Sequence, residues 1–475
     1  MGGHQLDERG KERLRLSDVA KLGRRVMRGI VGAARVDDQM TFGKLLAAHL
    51  GVDASDLGVV EESWPAYDQV NVQAGLDAWL DTGDRKHELV GVVNFQHREF
   101  GLSELMRSGA HAQHHLPSPG NVSRTNLPSG PIGEARPCVR CGVYLIHDGD
   151  VRAAVLLRSP NMDTGSSVSV QVVADQEGGA TRIAEEIREL SVMHNVYRGQ
   201  VVSFTRDMFG ERPTALAFHV RAQMTGDDLI LSGSTLATIE RQVVGVARHR
   251  EQLLAARQHL KRGLLLHGPP GVGKTHTVRY LISQLTDTTI VELSGAALHL
   301  IGQACSVART LQPAMIVVED VDLIAEDRGM HPGDHPVLFQ LLNEMDGLAE
   351  DADVVFLLTT NRADVLEPAL AARPGRVDQA VELELPDADA RRRLFALYKG
   401  ALLVDEERLD SVLSRTDGVT ASFLKELLRR AAVIAAEASG GGSVSVGADH
   451  LDAALDELLD TRNMMTRVLL GGQRD

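Results

Sequence analysis

One stretch constrains this chain more than any other: Gly268-Pro269-Pro270-Gly271-Val272-Gly273-Lys274-Thr275. It fits the pattern G-x-x-x-x-G-K-[ST]. Ahead of it, Gly263-Leu264-Leu265-Leu266-His267 reads as a short buried strand. Behind it, residues 275–285 read as a helix with Val278, Leu281, Ile282 and Leu285 on one face. Glycines let backbone N–H groups turn inward around phosphates, and the helix N-terminus adds partial positive charge. Lys274 can then reach the β- and γ-phosphates, and the Thr275 hydroxyl can ligate Mg²⁺. The expectation is a triphosphate site for ATP or GTP, formed by Gly268, Pro269, Pro270, Gly271, Val272, Gly273, Lys274, Thr275 and the adjoining His276.

Further along, strand and helix patterns alternate, which predicts a mostly parallel sheet with helices on both faces. Strands are expected near 263–267, 289–293, 314–319, 353–359 and 379–384. The third ends in Glu319-Asp320-Val321-Asp322. Acids at the carboxyl end of a parallel strand sit beside the phosphate loop, so Glu319 is assigned to the Mg²⁺ side with Thr275, and Asp320 to polarising the attacking water. The fourth strand ends in Thr360-Asn361, whose amide can orient that water. Arg373 and Arg376, in a Pro-Gly turn, suit bidentate contact with phosphate oxygens. They lie far along the chain from the phosphate loop, so a neighbouring subunit's nucleotide is a possible target.

These stretches in their order resemble an AAA-type ATPase, the ring-forming branch that includes the Cdc48 and membrane-protease relatives. The matching pieces are the Walker A loop at 268–275, the Walker B strand at 316–322, Leu341-Leu342-Asn343-Glu344-Met345-Asp346-Gly347, and the second region of homology at 360–378. They cover roughly residues 235–465. The resemblance implies that Asn361 is the sensor and that Arg373 and Arg376 are arginine fingers acting in trans within a homo-oligomer, usually a hexamer. Two features depart from the family. Its usual Asp-Glu order is Glu319-Asp320 here, which makes the general base one methylene shorter. Its aromatic pore loop is replaced by His299-Leu300-Ile301-Gly302, whose Leu300 and Ile301 are read as able to grip apolar substrate. The ending Gly472-Gln473-Arg474-Asp475 lacks the hydrophobic-Tyr-X tail of rings that dock a proteasome core, so that docking is not expected.

The fold class expected is α/β: a P-loop AAA core with a parallel sheet plus a C-terminal helical lid, preceded by an α+β N-terminal region. The divisions read from the chain are a charged leader at 1–36, a small mixed segment at 37–107 and a flexible loop at 108–137. An α+β recognition domain at 138–225 follows, then the ATPase core at 226–386, the lid at 387–465 and a tail at 466–475. Lid helices are expected at 388–399, 405–415, 420–438 and 447–460. In the N-terminal region, Trp64 and Tyr67 read as core anchors or a binding surface. Cys138-Val139-Arg140-Cys141 is half a zinc site, with His111, His114 and His115 upstream; a redox pair and ordinary buried thiols are the other readings. No H-E-x-x-H occurs.

A net charge of −15 argues against general nucleic-acid binding. Three cysteines cannot make a disulfide framework, so a reducing cytoplasm is expected, and no apolar run suits a membrane span. The functional expectation is ATP hydrolysis, with ATP and Mg²⁺ as cofactors, driving remodelling, unfolding or disassembly of a protein partner recruited through 37–225. The alternative is an ATP-dependent assembly switch with slow hydrolysis and no threading. A motor on nucleic acid would rest only on the basic leader.

Overall fold

The computed structural model describes residues 41–52, 56–83, 85–95, 100–107, 117–160, 167–206, 213–322, 336–364, 377–439 and 444–459. The leader at 1–36, the tail at 466–475, Arg373, Arg376, His111, His114 and His115 lie outside them. The chain divides into two units, Met1–Thr125 with Pro137–Ser191, and Asn126–Arg136 with Val192–Asp475.

The first unit is built on an antiparallel sheet of β1 (Val60–Pro65), β2 (Lys86–Val93), β3 (Ser118–Gly120), β4 (Ser123–Pro128), β5 (Ala135–Asp148), β6 (Val151–Arg158) and β7 (Ser167–Ala174). Its order is β1-β7-β6-β5-β2-β3, with β4 paired to β5. Its helices are α1 (Phe42–Leu50), α2 (Gln69–Asp81), α3 (Leu102–Arg107) and α4 (Gly179–Met193). Strand side chains alternate between faces, and here both faces are apolar. Tyr144, Ile146, Val155 and Val172 share one core with Leu76 and Trp79 of α2 and Ile183 and Ile187 of α4. Val143, Leu145, Leu156 and Val173 face the other way, onto Phe42 and Leu46 of α1 and Leu102 and Leu105 of α3. Tyr67 is buried, and Trp64 packs half-buried against the first core.

These pairings correct three sequence-based divisions. Residues 37–107 and 138–191 are not separate domains: β1 pairs with β7 and β2 with β5. The stretch read as a flexible loop at 108–137 holds β3, β4 and the start of β5. From residue 117 on, backbone ladders order it, and Pro119 is tolerated because β3 is an edge strand. Cys138 and Cys141 are fully buried within β5. Gln69 Nε2 donates to the Val139 carbonyl at 3.3 Å, and the Val139 N–H donates to Gln73 Oε1 at 2.9 Å. Burial pushes the Cys141 thiol up to about 12, which favours an inert thiol over metal or redox chemistry. Among the described residues no group of three or more His, Cys, Asp or Glu is placed to hold a metal.

The second unit carries the parallel sheet. Its strands are β8 (Val201–Arg206), β9 (Pro213–His219), β10 (Arg262–His267), β11 (Thr289–Leu293), β12 (Ala314–Val318), β13 (Val354–Thr360) and β14 (Gln379–Glu382). Their order is β14-β10-β13-β12-β11-β8-β9. All pairs are parallel except β8 with β9. The five strands expected for the core are present. The division at 225/226 is corrected, because β8 pairs with β11 and β9 with β8, so these two strands extend the core sheet.

Helices cover the sheet: α5 (Gly233–Glu240), α6 (Lys274–Gln284), α7 (Ile301–Thr310) and α8 (Pro336–Asp346). Leu264, Leu266, Ile290, Met315, Val355 and Leu357 join Val278 and Leu281 of α6 and Ile239 of α5 in one core. A π-helical turn, Arg241–Gly245, follows α5. The buried Arg262 guanidinium donates to the Gln242 and Val243 carbonyls of that turn and to Asp353. It thereby ties that turn to the start of β10; the Val243 carbonyl also accepts from the Val246 N–H.

The lid consists of α9 (Ala388–Lys399), α10 (Leu409–Ser414), α11 (Ala421–Ser439) and α12 (Ala448–Leu459), with a core of Phe395, Val412, Phe423, Leu427, Leu451 and Leu455. It is not wholly helical. β15 (Leu403–Val404) pairs with β16 (Ser445–Val446), and the Asp405 N–H donates to Val446 O. That pairing holds residues 403–405 extended, so α10 begins later than the expected 405.

Candidate nucleotide site

The loop between β10 and α6 takes backbone angles that only glycine adopts freely. Gly268, Gly271 and Gly273 have φ of 146, 84 and 109°. A Cβ on Gly268 would meet Leu383 O at 2.4 Å, and one on Gly271 would meet Thr420 Oγ1 at 2.9 Å. The loop is held from two sides, by β14's continuation and by the lid, where the Ser422 N–H donates to Gly271 O at 3.1 Å. Lys274 opens α6 and is buried. Its Nζ donates to Gly268 O at 2.8 Å and Pro269 O at 2.9 Å. Burial lowers its pKa, opposed by the charges of Asp320 and Asp322. His276 lies beside the loop, its ring 2.9 Å from Asp228 O. The far end of α6 is pinned by Arg221, whose guanidinium donates to the Ile282 and Leu285 carbonyls at 2.7 and 2.8 Å.

The acids stand at the carboxyl end of β12, separated from the strand of that loop, β10, by β13 alone. Asp320 has a positive φ of 52°, strain of the kind that accumulates at functional positions. Its N–H donates to Thr359 Oγ1 at 3.1 Å, and its carboxylate accepts from the Asn361 amide at 3.2 Å. The sequence-assigned base and sensor are therefore in contact. Asp322, which sequence reasoning gave no role, is buried and accepts from Thr360 Oγ1 at 2.8 Å and the Asn361 N–H at 3.3 Å. It sets the chain direction that aims Asn361. Glu319 lines a cavity of about 490 Å³ together with Thr275, and its Oε1 is buried without a hydrogen-bond partner. An acceptor-only oxygen beside a hydroxyl fits a bound cation.

A family model described as "ATPase family associated with various cellular activities (AAA)" matches residues 264–385, the stretch holding these groups. Residues 264–385 are an AAA ATPase domain. The ATP-dependent zinc metalloprotease FtsH of Cutibacterium acnes is 32% identical over 224 residues, 44% of this chain and 31% of that protein. FtsH 2 of Sphaerobacter thermophilus is 34% identical over 206 residues, 41% of this chain and 31% of its own length. FtsH of Pelobacter propionicus is 30% identical over 260 residues, 50% of this chain and 41% of its own. The chain thus spans between about a third and two fifths of the length of these relatives.

The AAA domain borders a second cavity that sequence reasoning missed. It measures about 330 Å³ and is lined by Ile230, Leu231, Val272, Leu385, Leu394 and Ala421 among others. Val272 belongs to the phosphate loop, so a slot of mixed lining, with Ser232, Thr235, Asp387 and Arg393 beside these apolar residues, adjoins the phosphate cradle. Its residues come from four stretches with no shared motif, which hid it. The cavity beside Glu319 contains a further unassigned group, Glu292 of β11. Burial raises the Glu292 pKa and Glu319 adds to the rise, while His219 and Arg279 lower it.

The expected pore residues are corrected. Leu300 and Ile301 are only 3% and 1% exposed, packed in the core at the start of α7 instead of offered to a substrate. The local reason is that a 3-10 turn at Gly295–Leu300 runs straight into that helix, where Ala304, Cys305 and Ala308 are also buried. Arg373 and Arg376 lie outside the described residues. Just beyond them, Asp378 is fixed to β10, accepting from the Gly263 N–H at 2.7 Å. Among the described residues no helix is long and apolar enough to cross a membrane.

Proposed function

We propose that the AAA domain hydrolyses ATP to ADP and phosphate within a homo-oligomeric ring, a hexamer, and that turnover remodels, unfolds or disassembles a protein partner recruited by residues 37–225. The observation that carries this reading is the junction of the Lys274 loop with the Asp320–Asn361 pair at adjoining strand ends. The base would occupy the slot at Ile230 and Val272, and the loop N–H groups and Lys274 would hold the phosphates. Thr275 and Glu319 would hold Mg²⁺, which neutralises phosphate charge when bound. Asp320 takes the proton of the attacking water, which Asn361 orients. Arg373 and Arg376 of an adjacent copy complete the pocket, so turnover requires assembly. We place this activity in the cytoplasm. The relatives are zinc metalloproteases by name; these 475 residues contain no H-E-x-x-H, and we propose ATP-driven remodelling alone.

The test is ATP turnover by the purified chain across a concentration series, with Asp320→Asn beside it. Turnover rising with assembly and falling about 10²–10⁴-fold in the variant, with nucleotide still bound, is expected. Nucleotide bound but no phosphate released at any concentration would remove the hydrolytic reading. One observation favours the second reading, an ATP-driven assembly switch: the burial of Leu300 and Ile301 leaves the pore loop without an apolar grip. A remodelling enzyme would show ATPase stimulated by its partner; a switch would assemble on ATP and show no such stimulation.

A further inference from the structure

The cavity beside Glu319 is walled by more than the Walker B strand. β11 pairs with β12 so that Glu292 stands opposite Val317, and β8 pairs with β11 so that Ser203 stands opposite Glu292. Paired residues share a sheet face, and Glu319 follows Val317 by two positions, so Glu292 and Glu319 are diagonal neighbours on one face. Both line the cavity of about 490 Å³ that also takes in Thr275, Arg279, Ser203 and His219. Ser203 Oγ and the His219 ring are 2.7 Å apart, which ties the outer two strands to each other. Two carboxylates are thus directed into one partly enclosed space, and Glu319 Oε1 there lacks a partner. Like charges so placed repel unless a cation lies between them.

We propose that Glu292 is a positioning residue for the nucleotide's Mg²⁺, accepting hydrogen bonds from water on an ion held at Thr275 and Glu319. Mg²⁺ gives up its waters reluctantly and commonly keeps several, so a carboxylate one shell out orients the ion through them. The extra strands β8 and β9 extend the cavity wall past β11 with Val201, Ser203 and His219. This inference rests on the reading of the site as one for Mg²⁺ and ATP.

The experiment titrates Mg²⁺ against binding of a non-hydrolysable ATP analogue by calorimetry, with Mn²⁺ paramagnetic resonance as a second readout. Wild type, Glu292→Gln, Glu319→Gln and the double variant are compared. Glu292→Gln is expected to raise the half-saturating Mg²⁺ concentration about 10-fold while leaving Mg²⁺-free nucleotide affinity unchanged or slightly tighter. The double variant should lose less than the product of the single losses, because both act on one ion. Arg279→Gln should move the midpoint to lower Mg²⁺, since a competing positive charge is gone. If Glu292→Gln does not fold, Glu292→Ser, which matches Ser203 opposite it, carries the same expectation. An unchanged midpoint in a folded Glu292 variant, against Mg²⁺-dependent binding by wild type, overturns this proposal alone and leaves Glu292 as a partner of Arg279. Wild-type binding that ignores Mg²⁺ overturns the reading of the site and this proposal with it.

Discussion

Asp322 shows how much a single side chain sets at this site. One of its carboxylate oxygens accepts both the fully buried Thr360 hydroxyl and the Asn361 N–H. Asp322→Ala would strand those donors, so a loss of about 1–3 kcal/mol in urea unfolding is expected. The same variant should lower kcat while nucleotide affinity holds, because Asn361 loses its aim and the phosphate loop is untouched. Asp68, in the first unit, makes a different prediction. Burial raises its carboxyl to about 6, and the Asn71 amide at 2.8 Å only partly opposes this. Between about pH 4 and 6 the folded chain keeps a proton that the unfolded chain has released, so stability falls as pH rises across that window. Above about 6 the penalty is complete. Asp68→Asn removes it, and the variant's gain over wild type in urea midpoint should grow from pH 4 to pH 6 and then level off.

Among elements, the turn and helix at 295–310 depart furthest from the expectation drawn for them. The four residues His299-Leu300-Ile301-Gly302 aligned with a substrate-gripping loop, yet two of them are core. Ile301→Ala should therefore destabilise the second unit by about 2–5 kcal/mol, the cost of a buried large-to-small change. Thermal or urea unfolding measures this directly. A variant of native stability with selective loss of partner remodelling would return Ile301 to the pore. The β8–β9 hairpin shows the same lesson in reverse. Its two strands pair with each other within twenty residues of chain, but its partner in the core sheet lies far away. β11 lies about ninety residues further on, and nothing local to 201–219 specifies a parallel neighbour at that distance.

For the molecule as a whole, the division of the sheet has a practical consequence. Cutting at 225, the expected boundary, strips β8, β9 and Arg221 from the core and bares the edge of β11. That fragment should aggregate, since an exposed apolar strand edge invites pairing with another chain. A fragment beginning near 195 keeps all seven strands and should remain monodisperse and bind nucleotide; light scattering and calorimetry compare the two. Assembly makes a further prediction. Arg373→Ala with Arg376→Ala should bind ATP normally yet lose about 10³-fold or more in turnover. Mixing that variant with Lys274→Ala subunits, each inactive alone, should restore measurable ATPase if fingers are lent between copies.

What sequence alone determined was chemistry held close along the chain. The phosphate loop needs glycines with positive φ, a lysine and a hydroxyl within eight positions, and an apolar strand must end in acids beside it; such local demands leave a readable mark. The five core strands and the lid helices followed from periodicity for the same reason. Tertiary structure alone decided what depends on residues far apart in the chain. It built the slot between Ile230, Val272 and Ala421, gave β5 a partner in α2, merged 37–107 with 138–191, and drew Glu292 onto one face with Glu319. Such pairings are selected by which faces can be buried together and which backbone groups can be satisfied, and no window of sequence contains both partners.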